Sequence, residues 1–247
     1  KLDLSFDIRT YNFHEKYDLI FHLAANASIP QSINNPAESH SHNVIGTLKI
    51  LEYARRTGAN VIFSSSSSVY GEPNEVPIKE TALFKPMIPY ALQKIECELY
   101  MALYWNLYGV KSVALRYFNV FGEGQENANG GGDSSLALAN FLRQKKNGEP
   151  LTIVGDGEQK RDFVYVKDVV EANIKAAEWL NGATQFEVFN IGTGINYSIN
   201  EIADMIDPKR TYLPARVEPK LGLADITKAR ELLNWTPKMD IEKWLKS

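Results

Sequence analysis

Three short apolar runs, each closing on small or polar residues and each followed by helical spacing, constrain this chain more than anything else in it. They are "DLIFHLAA" (Asp18–Ala25), "NVIFSSS" (Asn60–Ser66) and "KSVALRYFNVFG" (Lys111–Gly122). Short continuous apolar runs of this kind read as strands buried on both faces. Between the first two, Val44, Leu48 and Leu51 share one helical face, and Gly58 stops the helix. Between the second and third, Ala91, Leu92, Ile95, Leu99, Ala102 and Leu103 recur at helical spacing from Ile88 to about Tyr108, and Gly109 ends that helix. Strand–helix–strand repeats predict an α/β fold, a doubly wound parallel sheet with helices on both faces.

The second half is less regular. "GEGQENANGGGDSS" (Gly122–Ser135) is polar and glycine-rich, and reads as a long loop. "LALANFLRQKKNGEP" reads as a helix closed by Gly148, and "LTIVGDG" as a short strand and turn. Asp168 with Glu171, and Ser198 with Glu201, have the spacing of capping boxes, and "EVFNIGTG" between them is one more buried strand. A Pro-punctuated segment, "RTYLPARVEPK", leads to a last helix in "ITKARELLNW". The expected organisation is a dinucleotide-binding part over 1–121 and 157–194, with a smaller α/β lobe over 122–156 and 195–247.

Charge and composition narrow the function. A formal net charge of -3 lacks the basic excess of a nucleic-acid binder. The apolar runs are too short to span a bilayer, and the first residues have no secretory-signal pattern. One cysteine, Cys97, can form no internal disulfide, which fits a reducing cytoplasm. His14, His22, His40 and His42 are not grouped with cysteines or carboxylates at ligand spacing, so no metal site is expected. Gly130–Gly132 lack the Lys-Ser/Thr of a phosphate loop.

Ligands of open α/β sheets bind beyond the carboxyl ends of the strands. Here those ends carry "AANAS", "SSSSSVYG" and "RYFNVFG". Just after the second, "PYALQK" opens the long helix with Tyr90 and Lys94 four residues apart, on one face. A phenol is a poor base at neutral pH, and a nearby ammonium stabilises its phenolate. The same Lys94 also stands four before Glu98, the spacing of an ordinary surface ion pair, so spacing alone leaves both readings open.

In combination these motifs resemble the extended short-chain dehydrogenase/reductase family. A serine-rich strand end, "VYG", Tyr-x-x-x-Lys at a helix start, "RYFNVFG", "GDGEQKRDFVYVKDV" and "NIGTG" occur in that family's order, most like its nucleotide-sugar 4-epimerases. The resemblance implies NAD as cofactor and a nucleotide sugar, such as a UDP-hexose, as substrate. It selects Ser66, four before Tyr70, as the catalytic hydroxyl beside Tyr90 and Lys94. Asp7 and Ile8 match the turn at the cofactor adenine; Leu23, Ala24 and Ala25 match the strand end along it. Asn43, Ser64 and Tyr117 match further cofactor-side positions, shared with Tyr90 and Lys94. On the substrate side, Ser66, Ser67 and Tyr90 match the sugar end. Asn119 and Arg161 match groups on the diphosphate; Arg216 and Glu218 resemble a late segment that grips phosphate and ribose, here one residue shorter. Gly222 falls beside the sugar 2-substituent, where a glycine either leaves room for an N-acetyl group or simply makes a turn.

Departures from the family matter too. Ser67 and Ser68 stand where sugar-nucleotide dehydratases resemble an Asp-Glu pair, which disfavours dehydration. The family's opening G-x-x-G-x-x-G turn is not in this sequence, so it reads as an N-terminally incomplete piece or a truncated homologue of the Rossmann-like fold, expected to hold NAD poorly and to lack central strands of the sheet. Rival readings are a decarboxylase, reductase or dehydratase on the same scaffold, or a non-catalytic homologue binding a nucleotide or a partner. A homodimer through helices including the one bearing Tyr90 is implied by the resemblance alone.

Overall fold

The computed structural model describes residues 7–125 and 137–246. Most of the predicted glycine-rich loop, including Gly130–Gly132, therefore lies outside the described residues.

The first sheet is fully parallel in the order β1-β2-β3-β7, built from β1 (Leu19–His22), β2 (Asn60–Ser66), β3 (Ser112–Tyr117) and β7 (Glu187–Ile191). Two more sheets complete the fold. One joins β4 (Asn119–Phe121), β6 (Lys160–Tyr165) and β8 (Asn196–Ser198); the other pairs β5 (Leu151–Val154) with β9 (Arg210–Leu213). The third predicted strand is thus two. "KSVALRYFNVFG" breaks at Phe118, whose amide donates to the Ile191 carbonyl, and continues as β4 in a different sheet.

Helices α1 (Ile29–Asn34), α2 (Pro36–His40) and α3 (Gly46–Thr57) follow β1, with a π-helical turn over Ser41–Ile45 before α3. The long α4 (Pro89–Tyr108) ends on Gly109 in the left-handed region, as its spacing predicts. On one face of the first sheet, α3 and α4 bury Leu51, Ala54, Cys97 and Met101 against Val61 and Phe63. On the other, α6 (Val166–Leu180) and α8 (Thr227–Leu233) bury Ala172, Ala176 and Ala229, with Trp235 just after α8, against Ile62, Leu115 and Phe189. A separate core joins α5 (Ala137–Asn147), α7 (Ile199–Ile206) and α9 (Ile241–Leu245) to Phe121, Ile153 and Phe163. Burial on the order of 2 kcal/mol per large apolar side chain makes these three clusters the main source of stability.

Two local expectations are corrected. Among the described residues β1 pairs with β2 alone, and Leu19 and Phe21 are exposed rather than buried. Asp168 and Glu171 form no capping box, because α6 starts two residues earlier; buried Asp168 instead accepts from the Lys238 and Met239 amides at 2.9 and 3.0 Å. The Ser198–Glu201 box does form, with both reciprocal hydrogen bonds.

Candidate active site

The serine tract is divided by strand geometry. Alternation sends Ser65 to the α4 face and Ser64 to the α6 face, and Ser66 ends the strand. Ser66 then accepts from the Ser68 amide at 3.2 Å, starting the tight turn Ser67–Tyr70. Gly71 closes that turn at φ 54°, with the Lys85 carbonyl so near that a β-carbon would overlap it, so only glycine fits.

Tyr90 and Lys94 meet this strand end from the first turns of α4. The Tyr90 hydroxyl adjoins Ser66 closely enough for the serine to favour its ionised form. The Lys94 amine is buried, donates to the Ser64 carbonyl at 2.6 Å, and lies 4.6 Å from the Phe63 ring centroid and 5.6 Å from that of Tyr90. Ser66, Tyr90 and Lys94 therefore form one cluster, and the surface-pair reading of Lys94 fails: Glu98 is buried and paired with Arg116 at 2.6 Å.

The expected lowering of the Tyr90 pKa by the ammonium is not what the geometry gives. Burial pushes the Tyr90 phenol up to about 12, against which the adjoining Ser66 pulls down. Burial also lowers Lys94 to about 8. The amine is bound to the Ser64 carbonyl and lies over the Phe63 and Tyr90 rings, and burial of the phenol is the main reason its pKa rises. As the protein stands, Tyr90 is held as the neutral phenol while Lys94 still carries its proton at neutral pH, and a further cation brought to this strand end would favour the phenolate.

The residues matched to the cofactor divide by location. Leu23, Ala24 and Ala25 are exposed at the carboxyl end of β1. Asn43, in the π-helical turn, is buried and clamps Asn26: its Oδ1 accepts from the Asn26 amide at 2.7 Å and its Nδ2 donates to the Asn26 carbonyl at 3.0 Å. Such π turns are frequent at functional sites. Asp7 and Ile8 open a turn tied by Arg9 to Ser41 at 2.8 Å, and Arg9's hydrogen bonds hold the Asp7 carboxyl down at about 2. Tyr117 pairs in register beside Ser66, yet its ring lies on the α6 face, where its hydroxyl is bonded to Asn173. These residues fit a dinucleotide: small side chains along the strand end, and an ammonium with one hydrogen bond among the described residues, leaving two protons for ribose hydroxyls.

The residues matched to the diphosphate come together elsewhere. Asn119, Arg161, Arg216 and Glu218 line one cavity of about 260 Å³. Arg161 pairs with Glu218 at 2.9 Å, and Arg216 reaches the same carboxylate at 3.5 Å. Asn119 Nδ2 donates to the Asp162 carbonyl at 3.0 Å. Gly222 stands at the edge of this group; a β-carbon on it would lie 3.8 Å from Arg161 Cδ. Ser67 is half-buried in the turn after β2.

Several structural residues were missed by sequence reasoning. Asp162 is fully buried and accepts from Thr193 N, Thr193 Oγ1, Gly194 N and Ala224 N at 2.7 to 3.1 Å, which fixes Arg161, "GTG" and the Gly222 segment together. Gln93, between Tyr90 and Lys94, accepts from Asn43 at 2.7 Å and Ser39 at 3.0 Å. A polar residue on the buried face of "PYALQK" was the available signal. Among the described residues no group of three or more His, Cys, Asp or Glu could hold a metal ion, and no helix is long and apolar enough to cross a membrane.

A parallel α/β sheet with a Ser–Tyr–Lys cluster at one strand end defines a dinucleotide-dependent class of enzyme. Residues 2–192 match the model of the NAD dependent epimerase/dehydratase family, and the chain belongs to that family. It is 35% identical to the UDP-glucose 4-epimerase of Lactobacillus helveticus, over 91% of this chain and 73% of that one. The UDP-N-acetylglucosamine 4-epimerase of Methanobrevibacter ruminantium M1, solved with UDP-N-acetylmuramic acid, superposes with a TM-score of 0.90 at 36% identity, covering 98% of this chain and 80% of that one. The UDP-glucuronic acid 4-epimerase of Bacillus cereus, solved with UDP-glucuronic acid and NAD, gives 0.83 at 30% identity, covering 93% and 73%.

Proposed function

We propose that this protein inverts C4 of a UDP-hexose, using NAD and passing through a 4-keto sugar. The observation that carries the reading is the buried Lys94 ammonium, one turn along α4 from Tyr90, bound to the Ser64 carbonyl at 2.6 Å and 5.6 Å from the Tyr90 ring centroid, with Ser66 adjoining Tyr90. In this reading Tyr90 takes the proton from the sugar 4-hydroxyl and Ser66 shares it. Lys94 holds the cofactor ribose. Bound NAD supplies reversible hydride acceptance at C4. Arg161 and Arg216 hold the diphosphate, where a guanidinium fork matches paired phosphate oxygens. Asn119 assists them, and Glu218 takes a ribose hydroxyl. The proposed cofactor part spans 1–121 and 157–194 with α8 and Trp235 packed onto its sheet, and the substrate lobe takes 122–156 and the rest of 195–247.

The sugar follows from Gly222. Its φ is outside the left-handed region and a β-carbon would meet only ordinary contacts, the nearest at 3.6 Å, so neither backbone nor packing requires glycine there. That supports open space beside the sugar 2-substituent, and the M. ruminantium relative is named for an N-acetylated sugar. UDP-N-acetylhexosamines are therefore substrates alongside plain UDP-hexoses. Exposed Leu92, Leu99, Leu103 and Leu107 form a stripe along α4, which supports a homodimer through this helix. The single, buried Cys97 thiol suits a cytoplasmic enzyme.

The test is incubation of the protein, expressed from its complete gene, with NAD⁺ and UDP-glucose or UDP-GlcNAc. The expected products are the C4 epimers without net NADH. A stable 4-keto product would make it a dehydratase, and turnover of UDP-glucose alone would remove the N-acetyl assignment.

A further inference from the structure

Behind the site lies a buried charge pair that the proton transfer itself does not use. Glu98 is two turns after Tyr90 and one turn after Lys94, so all three share a helix face. Its carboxylate takes a bidentate grip from Arg116 of β3, Nη2 at 2.6 Å and Nε at 2.9 Å, with both side chains 3% exposed. The hydroxyl of Ser65 in β2 donates to the same carboxylate. Arg116 also donates to Tyr70 Oη at 2.8 Å and to the Glu80 carbonyl at 3.0 Å. One helix side chain is thereby anchored to two neighbouring strands at the level of the serine tract.

We infer that Glu98, through Ser65 and Arg116, is a positioning group that sets the Ser66–Tyr90 and Lys94–Ser64 contacts. The inference rests on the acid–base reading of Ser66, Tyr90 and Lys94. Ser65 sits between the two serines that touch Lys94 and Tyr90. Because strand side chains alternate, pinning Ser65 to α4 fixes the phase of Ser64 and Ser66. Glu98 fixes the height and rotation of α4 against that strand end. Apolar contacts alone would leave this less defined: Ile95, Cys97 and Met101 can be repacked with small shifts, whereas a bidentate pair cannot slide. Buried pairs are also seldom the main source of stability, since apolar replacements of both partners are often neutral or stabilising. A pair kept here for geometry should thus separate from one kept for folding.

Two variants make that separation. Ser65→Ala removes one tie and leaves Glu98 paired; the double variant Glu98→Met/Arg116→Met removes the pair without leaving a lone buried charge. With Tyr90→Phe as control, we expect Ser65→Ala to lower kcat roughly 10- to 100-fold, the scale of small misplacements at a reacting centre. KM for the UDP-sugar should stay within about threefold and Tm within a few degrees, and the pH profile of kcat should shift. Ser65→Thr, which keeps the hydroxyl, should restore most of kcat. The double variant should match wild-type Tm yet lose kcat; if it fails to fold, the pair serves stability and the geometric role is overturned for Glu98–Arg116. Ser65→Ala with kcat within twofold of wild type, while Tyr90→Phe is inactive, overturns the inference as a whole. An active Tyr90→Phe instead overturns the acid–base reading beneath it.

Discussion

The two halves of the site are built on opposite electrostatic plans. At the serine tract, Lys94, Glu98 and Arg116 are almost fully buried, and each is held by strand or helix partners. At the cavity proposed for the diphosphate, Arg161, Arg216 and Glu218 are partly exposed, and one carboxylate pairs with both guanidinium groups, leaving a net positive charge. A buried constellation is costly to assemble but arrives pre-aligned, as proton transfer over hydrogen-bond distances requires. A partly solvated ion cluster is cheap and exchangeable, as a site that must take up and release a dianion requires. The difference teaches that chemistry and grip are separable here, so substitutions should divide into kcat effects at one end and KM effects at the other.

The largest expected effect is at Tyr90. Tyr90→Phe should lower kcat by about 10²–10⁴-fold with little change in KM, measured by initial rates of UDP-sugar epimerisation. A comparable rise in KM would blur the division. Lys94→Met comes next and acts in two directions. Activity should fall steeply while stability rises, because burial holds Lys94 at about 8 against an ordinary 10.5. Between those two values the unfolded chain keeps the proton and the folded protein does not, so wild-type stability climbs with pH through that window and carries the full burial cost below it. At pH 7 that cost is at most about 3 kcal/mol, and the variant should melt roughly 5 °C higher and lose the climb. A lower melting temperature would mean that the Ser64 carbonyl bond outweighs desolvation. Arg161→Lys should leave kcat near wild type and raise KM on the order of 10- to 100-fold, since a single ammonium cannot reproduce the fork.

How far the sequence foretells this follows the same divide. The parallel sheet, the long α4 and its Gly109 stop were legible because periodicity and glycine punctuation are local signals. Ser66, Tyr90 and Lys94 were legible through order and spacing, and the structure does bring them together. What escaped depends on neighbours far along the chain. Lys94–Glu98 spacing offered a surface pair; only the sheet brings Arg116 to Glu98 and turns it into a buried one. The Tyr90 pKa could not be read from an adjacent lysine, because burial, which sequence spacing does not show, pushes the phenol up and the amine down. Asp168 looked like a cap and instead anchors the chain after α8, a contact set by tertiary packing.

The smallest expected effect tests the cheap half of the site. Glu218 is held by Arg161 at 2.9 Å and Arg216 at 3.5 Å, and it is 22% exposed. A diphosphate entering the cavity has to compete with this carboxylate for the same two guanidinium groups. Partly exposed pairs are worth about 0.5–1 kcal/mol, so the competition is worth roughly two- to fivefold in affinity. Glu218→Gln should therefore bind inorganic diphosphate a few-fold more tightly, since the arginines are freed. UDP should gain less or lose slightly, because the weaker acceptor also faces its ribose. Calorimetric titration of both ligands reads the two terms separately. Weaker diphosphate binding by Glu218→Gln would show the carboxylate to be an aligning partner for Arg161, and the cavity would then be pre-aligned in the same manner as the serine tract.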